Sequence, residues 1–205
     1  MGGRAAALML LLAVVLMASA YARAEGTAYE VADGLSRSTG FVAFGTPLAM
    51  ILTGGSSTHR AGRHAADAVV GSGGVCEGLK QVFHEARPNN PLATDGFPSG
   101  HTTVAFGLAT GVGDQYHAWR VPLYLWAAAV GWSRVELGAH YWHQVLGGAV
   151  LGFTVARVSR DSHEGVCQGL FFDEDSPNGF VGLSRRGEVA LLSSDTTLWQ
   201  WKMEF

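Results

Sequence analysis

Five short apolar segments, separated by glycine-rich or polar breaks, place the strongest limit on what this chain can fold into. They occupy residues 41–53, 64–75, 102–112, 121–132 and 145–158. Their alanine, leucine and small-residue content is typical of closely packed helices, although the many glycines leave each boundary poorly marked. Most are shorter than the ~20 apolar residues that a membrane-spanning helix needs. The pattern therefore predicts an all-α bundle.

The length of the chain and its first residues predict one exported domain. The 205 residues are enough for one domain with a real core and too few for two of ordinary size. Residues 1–24 combine an early Arg4, an apolar run and small residues at Ala22 and Ala24, which predicts a secretory signal peptide. An uncleaved membrane anchor is the alternative, but the apolar run is short for one. We expect a periplasmic protein whose helical domain spans residues 25–160.

The last part of the chain, residues 161–205, has a different pattern. Turn signals in SPNG and RRG separate short runs such as GFVGLS, EVALL and TLWQWKMEF. These features predict a short C-terminal β hairpin or meander. Its tryptophans and terminal phenylalanine are compatible with a lipid surface, but a strand packed on the helical core is the preferred interpretation.

The two cysteines and the net charge narrow the class of partner. Export would place Cys76 and Cys167 in an oxidising compartment, where one disulfide and two buried free thiols are equally compatible with the sequence. The formal net charge of -3 leaves no basic footprint for nucleic acid. We therefore expect no nucleic-acid partner.

Three separated fragments carry side chains that suit phosphoryl transfer. They are KQVFHEARP at 80–88, PSGH at 98–101 and SRVELGAH at 133–140. A transferred phosphoryl group spreads negative charge over three oxygens, so its site needs several fixed cations and N–H donors around one point. Ser99 and Gly100 precede an apolar segment, where the start of a helix would offer an anion site, although a helix cap and a turn glycine are the simpler interpretations of each alone. Lys80 and Arg87 are seven residues apart, which predicts one face of a helix that Pro88 ends.

These fragments resemble the three-part signature of the type 2 phosphatidic acid phosphatase (PAP2) superfamily, K-x6-R-P, P-S-G-H and S-R-x5-H-x3-D. The first two parts are complete, and the third ends at Gln144 where most of the superfamily carries aspartate. The stretch HYWHQ at 140–144 is similar to the HFPHQ segment of glucose-6-phosphatase, a branch of the superfamily that also carries glutamine there. The resemblance does not cover the C-terminal tail.

The resemblance implies a fold and a role for each matching residue. It implies an acid phosphatase-like helical bundle in which His140 attacks phosphorus and forms a phosphohistidine, while His101 serves as general acid and then as base. Gln144 lies four residues after His140, which predicts one helix on which its side chain reaches the imidazole. It would orient that imidazole, as aspartate does in relatives. The residues that the resemblance assigns to phosphate binding are Lys80, Arg87, Ser99, Gly100 and Arg134.

The glutamine at position 144 is the main departure from the family pattern. Its amide accepts an N–H bond and fixes a histidine tautomer, but it supplies no charge to a developing imidazolium. The sequence therefore predicts slower chemistry or a compensating neighbour, with Glu136 as a candidate. A metal cluster of His84, His101, His140 and His143 is disfavoured, because the nearby lysine and arginines would repel a cation. We expect no metal and no cofactor.

The expected function is metal-independent hydrolysis of phosphomonoesters or lipid pyrophosphates, with a lipid phosphate as the favoured substrate. One alternative is a soluble periplasmic acid phosphatase of broad specificity. Another is a phosphate or lipid-headgroup binding protein with impaired turnover. Vanadate-dependent haloperoxidases share the signature, but the small size of the chain argues against them. A soluble or membrane-associated state is expected, with an integral membrane protein as the alternative.

Overall fold

The computed structural model describes residues 27–161, and these form five helices. They are α1 (Ala28–Thr53), α2 (Ser56–Phe83), α3 (Gly100–Gln115), α4 (His117–Glu136) and α5 (Trp142–Asp161). Each predicted apolar segment lies inside one of them, so the all-helical prediction is confirmed for this part of the chain. The predicted signal peptide, the predicted C-terminal β hairpin and Cys167 lie outside the described residues.

Helix α3 lies at the centre of the bundle. It packs against α2, α4 and α5, and α1 covers α2 and α4 on one side. Most of the buried core is built from alanine, valine and leucine, and small side chains of this kind let helix axes approach closely. Its members include Val42, Ala65, Val69, Ala105, Leu108, Val112, Ala127 and Val130.

Glycines on α5 bring that helix against the backbone of α3. A Cβ added to Gly152 would lie 2.1 Å from the carbonyl oxygen of Thr103, and one added to Gly148 would lie 2.7 Å from that of Ser99. Neither position accepts a side chain without movement of the backbone. These two glycines are therefore helix contacts in the fold, and they let the second and third turns of α5 lie against the start of α3.

Helix α2 ends before Arg87, so the prediction that Lys80 and Arg87 share one helix face was wrong. The helix ends at Phe83, and His84 follows it with a left-handed φ of 45°. Proline disfavours a helical conformation in the residue before it, so Pro88 disfavours a helical Arg87. Arg87 instead lies in the loop between α2 and α3, where its N–H donates to the carbonyl of Asn90 at 3.3 Å.

His140 precedes α5 rather than lying on it, which corrects the expectation that His140 and Gln144 share a helix. Helix α4 ends at Glu136, and Gly138 then adopts a left-handed φ of 63° that few residues other than glycine tolerate. The turn leads the chain back so that the N–H of His140 donates to the carbonyl of Arg134 at 3.0 Å. His140 is thus fixed by a turn at the start of α5.

Within residues 27–161, no helix combines the length and the apolar character that crossing a membrane requires.

Candidate active site

One end of the bundle contains a cavity of about 420 Å³ that gathers the charged motif residues. Lys80 comes from α2, His101 from α3, Arg134 from α4, and Arg87 and His140 from the loops before α3 and α5. The full lining is Thr39, Gly40, Phe44, Gly73, Cys76, Glu77, Lys80, Arg87, Gly100, His101, Val104, Arg134 and His140. Motif residues as far apart in the sequence as Lys80 and His140 therefore line the same cavity.

The imidazole of His140 is held by two acceptors on the same ring nitrogen. Its Nδ1 lies 2.9 Å from the carbonyl oxygen of Gly96 and 3.0 Å from Oε1 of Gln144. Both partners accept, so Nδ1 carries the hydrogen and donates it. The other nitrogen, Nε2, then keeps its lone pair. This is the tautomer that a nucleophilic histidine requires.

Gln144 is completely buried and uses both ends of its amide. Besides His140, its Oε1 accepts the N–H of Tyr141 at 3.1 Å, and its Nε2 donates to the carbonyl of Ala86 at 2.8 Å. A Cβ on Gly96 would lie 2.7 Å from that Nε2 and 2.5 Å from the Ala86 carbonyl. Gln144 thus joins the loop before α3 to the turn that carries His140.

Burial makes both histidines of the cavity weak bases. Burial lowers the pKa of His140 to about 4; its bond to Gln144 opposes this shift, whereas the charges of Arg87 and Arg134 add to it. Burial also lowers the pKa of His101 to about 4, with Arg134, His140 and Lys80 acting in the same direction. Both imidazoles are therefore neutral at pH 7.

Arg134 brings positive charge into the site without a carboxylate to balance it in the part of the chain that the structure describes. Its Nη1 donates to the hydroxyl of Ser36 on α1, and its buried Nε has no protein partner within residues 27–161. Burial and the charge of Arg87 lower the pKa of the Arg134 guanidinium. An anion bound beside the two arginines would relieve their mutual repulsion.

Asp95 orients Arg87 by a two-point contact. Nε of Arg87 donates to Oδ1 of Asp95 at 2.9 Å, and a second guanidinium nitrogen donates to Oδ2. Burial alone would raise the pKa of Asp95, but the hydrogen bonds and charge of Arg87 outweigh it and hold the pKa below its usual value. The fork fixes the plane of the guanidinium, which matters for recognition of phosphate oxygens.

Ser99 and Gly100 occupy the start of α3 in different ways. Ser99 is buried behind the cavity; its hydroxyl accepts from Thr102 at 3.1 Å, and its N–H donates to the carbonyl of Gln144 at 3.0 Å. Gly100 lines the cavity, and a Cβ there would lie 3.4 Å from Nζ of Lys80. The positive end of α3 therefore faces Lys80, while a direct phosphate contact by the Ser99 side chain stays a prediction.

Several contributors to this geometry were missed by the motif analysis. Ser36, Glu77, Asp95 and Gly96 contact Arg134, Lys80, Arg87 and His140 respectively. Their sequence context carries no chemical signal, since a single serine or aspartate in a loop is ordinary. Glu136 is exposed at the end of α4 and does not line the cavity. Across residues 27–161, no group of three or more histidine, cysteine or acidic side chains has a metal-binding arrangement.

Similarity to known proteins supports the same kind of site as the geometry does. Residues 64–165 match the PAP2 superfamily. Lipid phosphate phosphatase 2 of Arabidopsis thaliana is 33% identical over 98 residues, and the match covers 40% of this chain. The chain spans only 31% of the length of that relative. No solved structure matches the chain.

Proposed function

From the membership of residues 64–165 in the PAP2 superfamily, we propose that this chain is a phosphatase that hydrolyses lipid phosphates through a histidine nucleophile and without a metal ion. The observation that carries the proposal is the cavity itself. It combines Lys80, Arg87 and Arg134 with an imidazole, that of His140, whose Nε2 keeps its lone pair.

Phosphate binding follows from the excess of positive charge. Arg134 supplies a half-buried guanidinium, Arg87 presents the edges of its fork that Asp95 leaves open, and Lys80 lies beside the first turn of α3. The free N–H groups of that turn add further donors. Several fixed donors around one point stabilise the charge of a phosphoryl group in transfer.

The chemistry proceeds as two displacements. The Nε2 lone pair of His140 forms an N–P bond while the bond between phosphorus and the ester oxygen breaks, and protonated His101 gives its proton to the departing alcohol. His101 then takes a proton from water, whose oxygen attacks phosphorus and releases phosphate from His140. Through both steps Gln144 and the Gly96 carbonyl accept the hydrogen bond from Nδ1–H and keep the ring in place.

The apolar part of the cavity lining favours a lipid over a small soluble ester. Gly40 and Phe44 of α1, Gly73 of α2 and Val104 of α3 line the cavity beside the charged residues. We call this part of the lining the apolar arm. A hydrocarbon chain on the leaving alcohol would bury apolar surface there, which favours binding. The name of the Arabidopsis relative, a lipid phosphate phosphatase, supports the same substrate class.

Membrane association is part of the proposal because apolar side chains remain exposed on α1. We call Phe41, Phe44, Leu48 and Leu52 the α1 stripe, since their spacing places them on one helix face that continues from the apolar arm. Exposed apolar patches on a folded domain mark sites of contact with another surface. A bilayer next to the apolar arm would deliver the lipid substrate directly.

A second candidate is a phosphate or lipid-headgroup binding protein. The specific observation in its favour is the neutral amide at Gln144, which leaves the developing charge on His140 without a carboxylate partner. Such a protein would keep the cationic cradle and bind phosphate without turning it over.

Phosphate release by the purified protein separates the two functions. The assay contains mild detergent and a chelator, and the panel holds lipid phosphates, sugar phosphates and a simple aryl phosphate. The His140→Ala variant is the control. Release that this variant lacks supports a metal-independent histidine phosphatase and ranks its substrates; binding without any release would favour the binding protein.

A further inference from the structure

Glu77 places a carboxylate in a cavity whose other charged side chains are cationic. It lines the cavity together with Lys80, Arg87 and Arg134. Neither phosphoryl displacement described above uses an acidic group at this position. A negative charge beside a phosphate site opposes the binding of phosphate, so its presence requires a separate explanation.

The carboxylate lies where an anion would bind. Oε1 of Glu77 is 2.6 Å from Nζ of Lys80, one helical turn further along α2. A Cβ built on Gly100, the first residue of α3, would be 3.4 Å from that Nζ and 3.8 Å from that Oε1. Glu77 therefore reaches the start of α3, next to the N–H groups that the phosphate needs.

We propose that Glu77 is a displaceable counter-ion of the phosphate cradle. In the empty site its carboxylate neutralises Lys80 at the start of α3, and a bound phosphate takes its place. Glu77 thereby lowers the affinity of the site for phosphate and speeds release of the phosphate product. The inference rests on the proposed function only in requiring that this cavity binds phosphate.

The exposure of the two partners explains why Glu77 moves and Lys80 stays. The side chain of Lys80 is 9% exposed, and a buried ammonium without a partner is strongly disfavoured. The side chain of Glu77 is 66% exposed, so its carboxylate swings into water at little cost. Phosphate offers Lys80 more negative charge than Glu77 does and also contacts Arg87 and Arg134. The exchange therefore favours the ligand, but less than it would without Glu77.

Binding of inorganic phosphate to the full chain tests the proposal. Glu77→Gln keeps an oxygen that accepts from Lys80 and removes only the charge. We expect this variant to bind phosphate about 3- to 10-fold more tightly by calorimetry, and the inhibition constant of phosphate in the turnover assay to fall by the same factor. Asp33→Asn is the matched control, since Asp33 pairs with Arg37 at 2.8 Å on exposed helix surface. Its phosphate affinity should equal that of the wild type.

The outcomes separate this inference from the proposed function. Wild-type protein that fails to bind phosphate contradicts the cradle, and the proposed function with it. Wild-type binding with unchanged or weaker binding in Glu77→Gln contradicts the counter-ion alone. Weaker binding combined with a lower melting temperature would assign Glu77 a structural role in holding Lys80. Glu77→Ala gives a second variant without the charge and is expected to tighten phosphate binding as well.

Discussion

At the scale of single residues, the amide of Gln144 fits its surroundings in a way that a carboxylate does not. Its oxygen accepts from His140 and from the Tyr141 N–H, while its nitrogen donates to the carbonyl of Ala86. A carboxylate oxygen in place of the amide nitrogen would face the carbonyl oxygen of Ala86, and two buried acceptors would then lie in contact without a hydrogen between them. An aspartate is also one methylene shorter and would not span the same distance. The glutamine is therefore adapted to this loop.

Substitution of Gln144 should show this dependence. Because Glu has the same length, Gln144→Glu isolates the lost donor, and we expect the free energy of unfolding to fall by about 1–3 kcal/mol. Gln144→Asp should not raise turnover, since it forfeits the Ala86 contact as well. Urea unfolding and the phosphate-release assay give the two readouts. A tenfold gain in turnover by Gln144→Asp would show instead that the neutral amide limits catalysis.

The proposed role of His101 as general acid requires its imidazole to take up a proton when the phosphate ligand binds. Burial and then the charges of Arg134, His140 and Lys80 lower the pKa of His101 to about 4, so the ring is neutral at pH 6. A bound phosphate adds negative charge and raises that pKa. We expect phosphate binding at pH 6 to take up more protons in the wild type than in His101→Gln.

Calorimetry in buffers of different ionisation enthalpy measures this uptake. The titration of phosphate itself is common to both proteins, so the difference between them reports His101. Equal uptake in wild type and variant would mean that His101 stays neutral in the complex, and its role as an acid would fail.

At the scale of helices, the contact between α3 and α5 depends on the absence of a side chain at Gly152. The missing Cβ would lie 2.1 Å from the Thr103 carbonyl and 3.0 Å from the N–H nitrogen of Gly107, and backbone atoms cannot rotate away. Gly152→Ala should therefore destabilise the fold by about 3 kcal/mol. Gly78→Ala on α2 is the control, because Gly78 is exposed with no atom within 4 Å of its missing Cβ. That change should stabilise by up to about 1 kcal/mol. Equal melting temperatures of the two variants would contradict this packing.

The apolar arm, formed by residues of α1, α2 and α3, is the proposed binding site for the hydrocarbon chain of the substrate, and a substitution that fills it tests this. A Cβ on Gly73 would meet Val104 at 3.6 Å, an ordinary contact, so Gly73→Leu fits the backbone and fills the arm. We expect the variant to lose about tenfold in hydrolysis of a long-chain phosphate relative to an aryl phosphate. Gly78→Leu adds the same side chain outside the cavity and should leave the ratio unchanged. An equal fractional loss of hydrolysis rate on both substrates would show that no hydrocarbon chain occupies the apolar arm.

The helices and the motif residues that line the cavity were predictable from the sequence, and the loop geometry was not. Alanine-rich apolar segments predict helices from local pattern alone, and Lys80, Arg87 and Arg134 are recognisable as motif residues. The contacts of Ser36 with Arg134 and of Gly96 with His140 join residues 98 and 44 positions apart. Such contacts depend on how helices pack, and local pattern carries no information on them. The same holds for the left-handed His84, which ended α2 earlier than Pro88 suggested.

At the scale of the molecule, the two ends of the bundle carry different interactions. The candidate active site occupies one end, where Lys80, Arg87 and Arg134 line the cavity. At the other, Asp114 near the end of α3 pairs with Arg120 of α4 and with Arg157 and Arg160 of α5. That carboxylate is nearly buried and joins three helices. These ion pairs stabilise the packing of α3, α4 and α5 at the end of the bundle opposite the cavity. The cations of the cavity are therefore not needed for that contact.

The sides of the bundle between these ends expose the α1 stripe, and a membrane surface is the contact we propose for it. Phe41 is 79% and Leu52 73% exposed, so replacing both with serine should leave the core intact. Even partial burial of each side chain in lipid contributes about 1 kcal/mol, so the double variant of the full chain should bind phospholipid vesicles at least about tenfold more weakly. Leu92→Ser, which changes a loop leucine that is 91% exposed, is the control for surface hydrophobicity in general. Vesicle co-sedimentation measures the bound fraction. An equal loss of vesicle binding in both variants would mean that the α1 stripe is not a specific membrane contact.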